Sequence, residues 1–271
     1  MAKSMVGKVV LITGASAGIG AALGREVAGR GGRVVLAARR LDRVEALARE
    51  LREAGGEALA VACDVTRDGD VEQAAQWARE ELGGIDVVVA NAGFGVAAQI
   101  DALTLEDHRR QLETNVFGVL RTIYATLDDL KRSRGCLALV GSVSSYLSTP
   151  GTGAYAMSKA AVRALADTLR AELKADGVAV LHVAPGFVDS EIRSVDNLGA
   201  FDGSKRDPVP GWLRMPGGDA AREIADAIAA RRGEVVLTRH GKVATSLVRH
   251  APGLVAAAMG AAARRTKRGA R

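Results

Sequence analysis

Two residues four apart, Tyr155 and Lys159, carry the first chemical signal in the chain. They lie in an Ala-rich stretch that reads as helix, and residues at i and i+4 share a helix face. An ammonium beside a phenol favours the phenolate and lowers its pKa from the ordinary value of ~10. A tyrosine so placed can give and take a proton near neutral pH. The chain has three tyrosines, Tyr124, Tyr146 and Tyr155, and of these Tyr155 alone has a lysine four residues on. A second signal is the run Thr13-Gly14-Ala15-Ser16-Ala17-Gly18-Ile19-Gly20, with glycines spaced G-x-x-x-G-x-G. A turn of this kind between a strand and a helix suits a pyrophosphate. Gly14 allows the turn, Gly18 a close backbone approach, and Gly20 tight helix packing. Ser16 and Ile19 belong to the same cradle, and the free N–H groups of the helix start face the phosphates. The plain alternative is an ordinary Gly-rich turn.

A third signal decides between dinucleotides. An NAD site usually has an acid at the end of the second strand to bind the ribose hydroxyls. Here that place reads Ala37-Ala38-Arg39-Arg40, with no acid until Asp42. Arginine forks suit a 2′-phosphate through paired, charge-assisted hydrogen bonds. The expected cofactor is therefore NADP(H) in preference to NAD(H), with Arg39 leading and Arg40 beside it. A solvated arginine pair at a helix start is the competing reading.

The elements that must position these groups are legible in the periodicity. Apolar, β-rich runs at 9–13, 33–38, 58–62, 85–90, 136–140, 178–183 and 234–238 predict seven strands. Between them, amphipathic stretches predict helices at 19–30, 42–54, 70–82, within 105–131, and at 154–175 and 219–231. Strand–helix alternation with near-continuous apolar strands predicts an α/β, doubly wound (Rossmann-type) parallel sheet with helices on both faces. The expected catalytic domain is 1–240. It includes an irregular segment at about 190–218, long enough to be functional, and a basic tail follows at 241–271.

Bulk properties narrow the function classes. A chain of 271 residues buries roughly 75% of its unfolded surface, so it folds without disulfides or a structural metal. Cys63 and Cys136 form no CxxC and read as two buried thiols of a reducing compartment. No metal site is expected. Residues 235–271 hold eight Lys or Arg and no acid, so the remainder carries 29 basic and 31 acidic residues. The net charge of +6 belongs to the tail and is no argument for nucleic-acid binding by the body. No signal peptide and no apolar run of spanning length is read. The expected location is cytoplasmic.

Taken together, the motifs resemble those of the short-chain dehydrogenase/reductase family. The likeness runs in order from about Lys8 to Val188 through TGASAGIG, Asp64, Asn91-Ala92-Gly93, Asn115, Ser142, Tyr155-Ala-Met-Ser-Lys159 and Pro185-Gly186. It implies an NADP(H)-dependent oxidoreductase that moves hydride between the nicotinamide and a carbonyl or alcohol. It also implies roles. Asp64, with Val65 beside it, touches the adenine, and Asn91 and Gly93 shape the wall near its ribose. Ser142 hydrogen-bonds the substrate oxygen, with Ser144 and Ser145 as rivals. Tyr155 exchanges the proton, and Lys159 also holds the nicotinamide ribose. Asn115 positions a water, and Pro185, Gly186, Val188 and Ser190 hold the carboxamide edge. Ser190 stands where many members have Thr and keeps the hydroxyl. The family's common NNAG is here Ala90-Asn91-Ala92-Gly93.

The resemblance leaves two other readings open: a C=C (enoyl) reductase of the same fold, and a non-enzymatic dinucleotide-binding sensor. Retention of all four catalytic positions favours the carbonyl/alcohol enzyme. Phe94, Val96, Leu147, Phe187, Phe201, Trp212 and Leu213 hint at a lipophilic substrate, against the alternative that they only pack loops. Pairing through the two long helices implies a homodimer or homotetramer. The tail reads as packed on the domain, with contact to an anionic membrane surface as the alternative.

Overall fold

Among the described residues the apolar runs form seven strands: β1 (Val9–Thr13), β2 (Arg33–Ala38), β3 (Ala58–Ala62), β4 (Val87–Ala90), β5 (Cys136–Val140), β6 (Ala179–Ala184) and β7 (Glu234–Val236). The structure, a computed structural model, describes residues 5–95, 98–194, 207 and 209–257. Strands pair in parallel in the order β3-β2-β1-β4-β5-β6-β7. Val9 of β1 registers with Arg33 of β2, and Val10 with Val87 of β4. Between β1 and β4 the winding reverses. In a doubly wound sheet that switch point, at the carboxyl ends of the strands, is where ligands bind.

Among the described residues, eight α-helices cover the sheet: α1 (Gly18–Gly29), α2 (Leu41–Glu53), α3 (Asp70–Leu82), α4 (Leu105–Leu112), α5 (Gly118–Ser133), α6 (Gly153–Glu172), α7 (Gly217–Ala229) and α8 (Arg239–His250). Alternation along each strand sends successive side chains to opposite faces. Val10 and Ile12 join Leu23, Val44, Leu47, Ala221 and Ile224 from α1, α2 and α7. Val9 and Leu11 join Val71, Val119, Ile123 and Val162 from α3, α5 and α6. Burial of each such side chain contributes about 1.5–3 kcal/mol, and the two faces together hold the sheet rigid beneath its carboxyl edge. Cys63 packs in one core and Cys136 in the other, and both are free thiols. Burial pushes each up to about 12.

The stretch 105–131, expected to contain one long helix, is divided. A π turn, Glu113–Phe117, separates α4 from α5. Such wide turns recur at functional sites because they re-aim side chains. Here it accompanies a fully buried Asn115, while Phe117 stays half exposed. At the other end of the chain, α8 begins at Arg239 and buries Gly241 and Thr245. The first turns of the expected tail therefore pack on the domain, whereas its basic end, 264–271, lies outside the described residues. No helix among the described residues is long and apolar enough to cross a membrane.

Candidate active site

The turn after β1 and Asn91-Ala92 after β4 meet at the carboxyl edge of the sheet, at the β1–β4 switch, and form the cradle. Gly14 and Gly18 both adopt left-handed conformations, φ +68° and +54°. A Cβ on Gly14 would lie 2.8 Å from the Cα of Ala92, and one on Gly20 would lie 2.5 Å from the carbonyl of Gly14. Side chains are thus excluded here by neighbouring backbone, not only by dihedral strain. Asn91 fastens the turn to the next strand: its Nδ2 donates to the carbonyls of Thr13 (2.9 Å) and Gly14 (3.2 Å). The Thr13 hydroxyl accepts from the N–H groups of Asn91 (3.1 Å) and Ala92 (3.2 Å). Ile19 is half-buried and packs on the core. In the sequence Thr13 stands only as the first letter of the glycine-rich run. A lone polar residue ending the run VVLIT was the available clue.

The arginines after β2 differ in placement. Arg39 is exposed. Arg40 turns back to the glycine turn and donates through Nε (3.2 Å) and Nη2 (3.0 Å) to the Ser16 hydroxyl. Asp64, at the end of β3, accepts at Oδ1 from the backbone and hydroxyl of Thr66 (3.0 and 2.8 Å). Val65 is buried, and a Cβ on Gly118 would sit 2.6 Å from its Cγ2.

The four candidate catalytic residues converge from β5, the π turn and α6. Ser142, 8% exposed, follows β5 and accepts at Oγ from the N–H of Ser144 (3.1 Å). That bond fixes the oxygen and leaves its proton to be donated. Of its rivals, Ser145 turns its hydroxyl to the Ser142 carbonyl (2.6 Å). Tyr155 and Lys159 rise from the start of α6, with Lys159 Nζ 5.8 Å from the Tyr155 ring centroid. Gly95 faces that ring: a Cβ there would stand 3.2 Å from Cδ2. Lys159 is 3% exposed and donates to the Val140 carbonyl (2.9 Å). Burial lowers its pKa to about 8. Asn115 accepts from Phe94 N–H (3.1 Å) and donates to the Phe94 carbonyl (3.0 Å) and Ser158 Oγ (3.0 Å). It thereby joins the wall after β4 to the helix that carries Tyr155. Gln111, one turn earlier and fully buried, also donates to the Phe94 carbonyl (2.7 Å). Its i, i+4 spacing to Asn115 was the signal for it. Gly93 lies against both groups, since its Cβ would meet Asn115 Oδ1 at 2.9 Å and Lys159 Nζ at 3.4 Å.

The segment after β6 closes the remaining side. Pro185 is buried, and its carbonyl accepts from Val143 N–H (2.9 Å), next to Ser142. Val188, 2% exposed, bridges to Met215 of the returning loop. Ser190 lies over the glycine turn, its Cβ 2.9 Å from where a Gly18 Cβ would be. Residues from α8 enter here without any forewarning in the sequence. A Cβ on Gly186 would clash with Thr238 Oγ1 and lie 2.7 Å from His240 Nε2. Phe187 N–H donates to His240 Nε2 (3.2 Å), and a Cβ on Gly241 would lie 2.9 Å from Val143 Cγ2. Of the apolar residues expected to line the substrate space, Phe94 is buried and Leu147 and Leu213 are half-buried. Phe187 and Trp212 are exposed. Val96 and Phe201 lie outside the described residues.

The Tyr155 phenol, the Lys159 ammonium and the Ser142 hydroxyl thus lie beside the carboxyl end of β5, in the sheet whose switch point carries the glycine turn. The chain belongs to the short-chain dehydrogenase family, whose sequence model matches residues 8–199. It is 38% identical over 192 residues to an uncharacterized oxidoreductase of Myxococcus xanthus, covering 70% of this chain and 76% of that one. It is also 38% identical over 196 residues to a farnesol dehydrogenase of Aedes aegypti, covering 69% and 79%. Among solved structures it resembles an alcohol dehydrogenase of Thermococcus sibiricus complexed with 5-hydroxy-NADP (35% identity, TM-score 0.76, 85% of this chain and 95% of that one). It also resembles a short-chain dehydrogenase/reductase of Burkholderia phymatum in complex with NAD (26% identity, TM-score 0.81, 91% and 93%).

Proposed function

We propose that this oxidoreductase uses NADP(H) to interconvert a carbonyl and an alcohol, with Tyr155 as the general acid/base. The placement of Ser142 after the carboxyl end of β5, with Tyr155 and Lys159 at the start of α6 and Lys159 bonded to the Val140 carbonyl, carries the reading. The left-handed glycines and the Asn91 clasp fit a dinucleotide, held at Gly14, Ser16, Gly18, Ile19 and Gly20 and along Asp64, Val65, Asn91 and Gly93. A bound nicotinamide supplies the hydride in reduction and accepts it in oxidation. In the reductive direction Ser142 donates a hydrogen bond to the carbonyl oxygen, and Tyr155 delivers the proton that makes it a hydroxyl. Lys159, as a cation, eases the loss of that proton by favouring the phenolate. Asn115 keeps the Phe94 backbone and α6 in register, while Pro185, Gly186, Val188 and Ser190 frame the nicotinamide end. Arg39 and Arg40 support the choice of NADP(H).

The exposed Phe187 and Trp212, with Leu147, favour a lipophilic substrate, and the farnesol dehydrogenase relative acts as a pointer to isoprenoid-like alcohols. Turnover across a panel of aliphatic ketones, enones and long-chain alcohols tests the substrate class. Tyr155→Phe is expected to lower kcat by about a hundred- to ten-thousandfold while NADPH still binds. Near-normal turnover in that variant would discard the mechanism.

A further inference from the structure

We propose that Glu191 is an internal competitor for the 2′-phosphate of the dinucleotide, its carboxylate occupying Arg40, one of the two arginines assigned to that phosphate, together with Arg43, so that it sets how strongly the enzyme prefers NADP(H). This rests on the reading of the glycine turn as a dinucleotide site.

Arg40 and Arg43 stand at the start of α2, directly after β2, where the adenosine ribose of a dinucleotide is read in doubly wound folds. Their forks converge on one carboxylate. Arg40 Nη1 donates to Glu191 Oε2 (2.8 Å) and Arg43 Nη1 to Glu191 Oε1 (2.7 Å). The rest of the Arg40 fork holds the Ser16 hydroxyl. Two guanidinium groups on two oxygens, with a serine hydroxyl alongside, is the donor pattern a phosphate monoester takes. Glu191 reaches this place from the opposite rim of the crevice, in the turn after β6, because Ser190 already lies against Gly18. Nothing in the sequence signalled the contact, since the partners are some 150 residues apart.

The strength of the pair suits exchange. Its members keep about a third of their side-chain surface, and exposed ion pairs contribute only about 0.2–1 kcal/mol each. A phosphate monoester carries a charge of about −1.5 to −2 at neutral pH and outcompetes one carboxylate. A ribose hydroxyl cannot displace it. Partial burial pushes the Glu191 carboxyl upward, but hydrogen bonds from Arg43 and Arg40 outweigh this and hold it below the usual carboxylate range. The competitor is therefore ionised at neutral pH.

The test measures dissociation constants of NADPH and NADH for the full chain and for Glu191→Gln by nicotinamide fluorescence at two salt concentrations. Removal of the competitor is expected to tighten NADPH about fivefold and leave NADH unchanged. The gain should shrink at high salt, as exposed charges are screened. Glu191→Asp, too short to reach both arginines, should fall between. If the wild type prefers NADPH and the substitution moves both dinucleotides equally, or neither, the proposal fails alone. If the wild type binds NADH at least as tightly as NADPH, the NADP(H) reading fails and takes the proposal with it.

Discussion

Lys159 bears a cost that the proposed catalytic role accounts for. A lysine buried to 3% exposure, donating to the Val140 carbonyl, carries its charge away from water. Its folded pKa of about 8 lies below the ordinary 10.5. Between those values the unfolded chain binds the extra proton, so stability rises as pH climbs from about 8 towards 10.5. Below pH 8 the penalty is present in full. Lys159→Met should therefore raise stability at pH 7 by about 1–3 kcal/mol, seen as a higher Tm, while abolishing turnover. The gain should shrink as pH rises from about 8 and disappear only above 10.5; a lower Tm at pH 7 would show that the ammonium is structurally welcome. The residues of this site were legible where they come in short-range patterns, as in Tyr155 with Lys159 or the glycines with one another. Thr13, Gly95, Glu191 and His240 were not, because each acts on a partner set beside it only by folding.

At the scale of elements, strand positions were readable to within two residues because parallel strands buried on both faces are nearly continuous apolar runs. The break between α4 and α5 was hidden, since a π turn keeps helical composition and shows itself only through the buried Asn115. The sequence also hid α8, whose Lys, Arg and His residues read as tail. Two sets of contacts hold it. Glu234 of β7 accepts from both the Arg249 guanidinium and the Tyr146 hydroxyl, and Arg249 and Arg163 lie over the Tyr146 ring from α8 and α6. At its start, Thr238 adopts φ +69°, costly for a β-branched residue, and caps Gly241 N–H at 3.1 Å. His240 there accepts from Phe187 N–H, which places its ring proton on Nδ1, and burial lowers its pKa. His240→Ala should raise KM for the dinucleotide about fivefold, with kcat changed less and with Gln restoring the acceptor. An unchanged KM would leave His240 without a part in shaping the nicotinamide side.

For the whole molecule, the described surface is uneven. Leu105, Phe117, Tyr124 and Met157 are exposed along α4 to α6, at 75, 50, 73 and 47%. Isolated apolar residues on a surface need no explanation, but four on neighbouring helices fit an interface. The double substitution Phe117→Glu with Tyr124→Glu is expected to convert a dimer or tetramer to monomers in sedimentation analysis. A wild-type monomer would refute the pairing at once. The contacts of α8 reach further than stability. The family match ends at residue 199, yet Thr238 and His240 press on Gly186 and Gly241 on Val143, residues that adjoin the proposed site. Chimeras between relatives should therefore tolerate a crossover within α7. A junction between β7 and α8 would pair one parent's floor with the other's buttress, and such hybrids should fold yet turn over poorly.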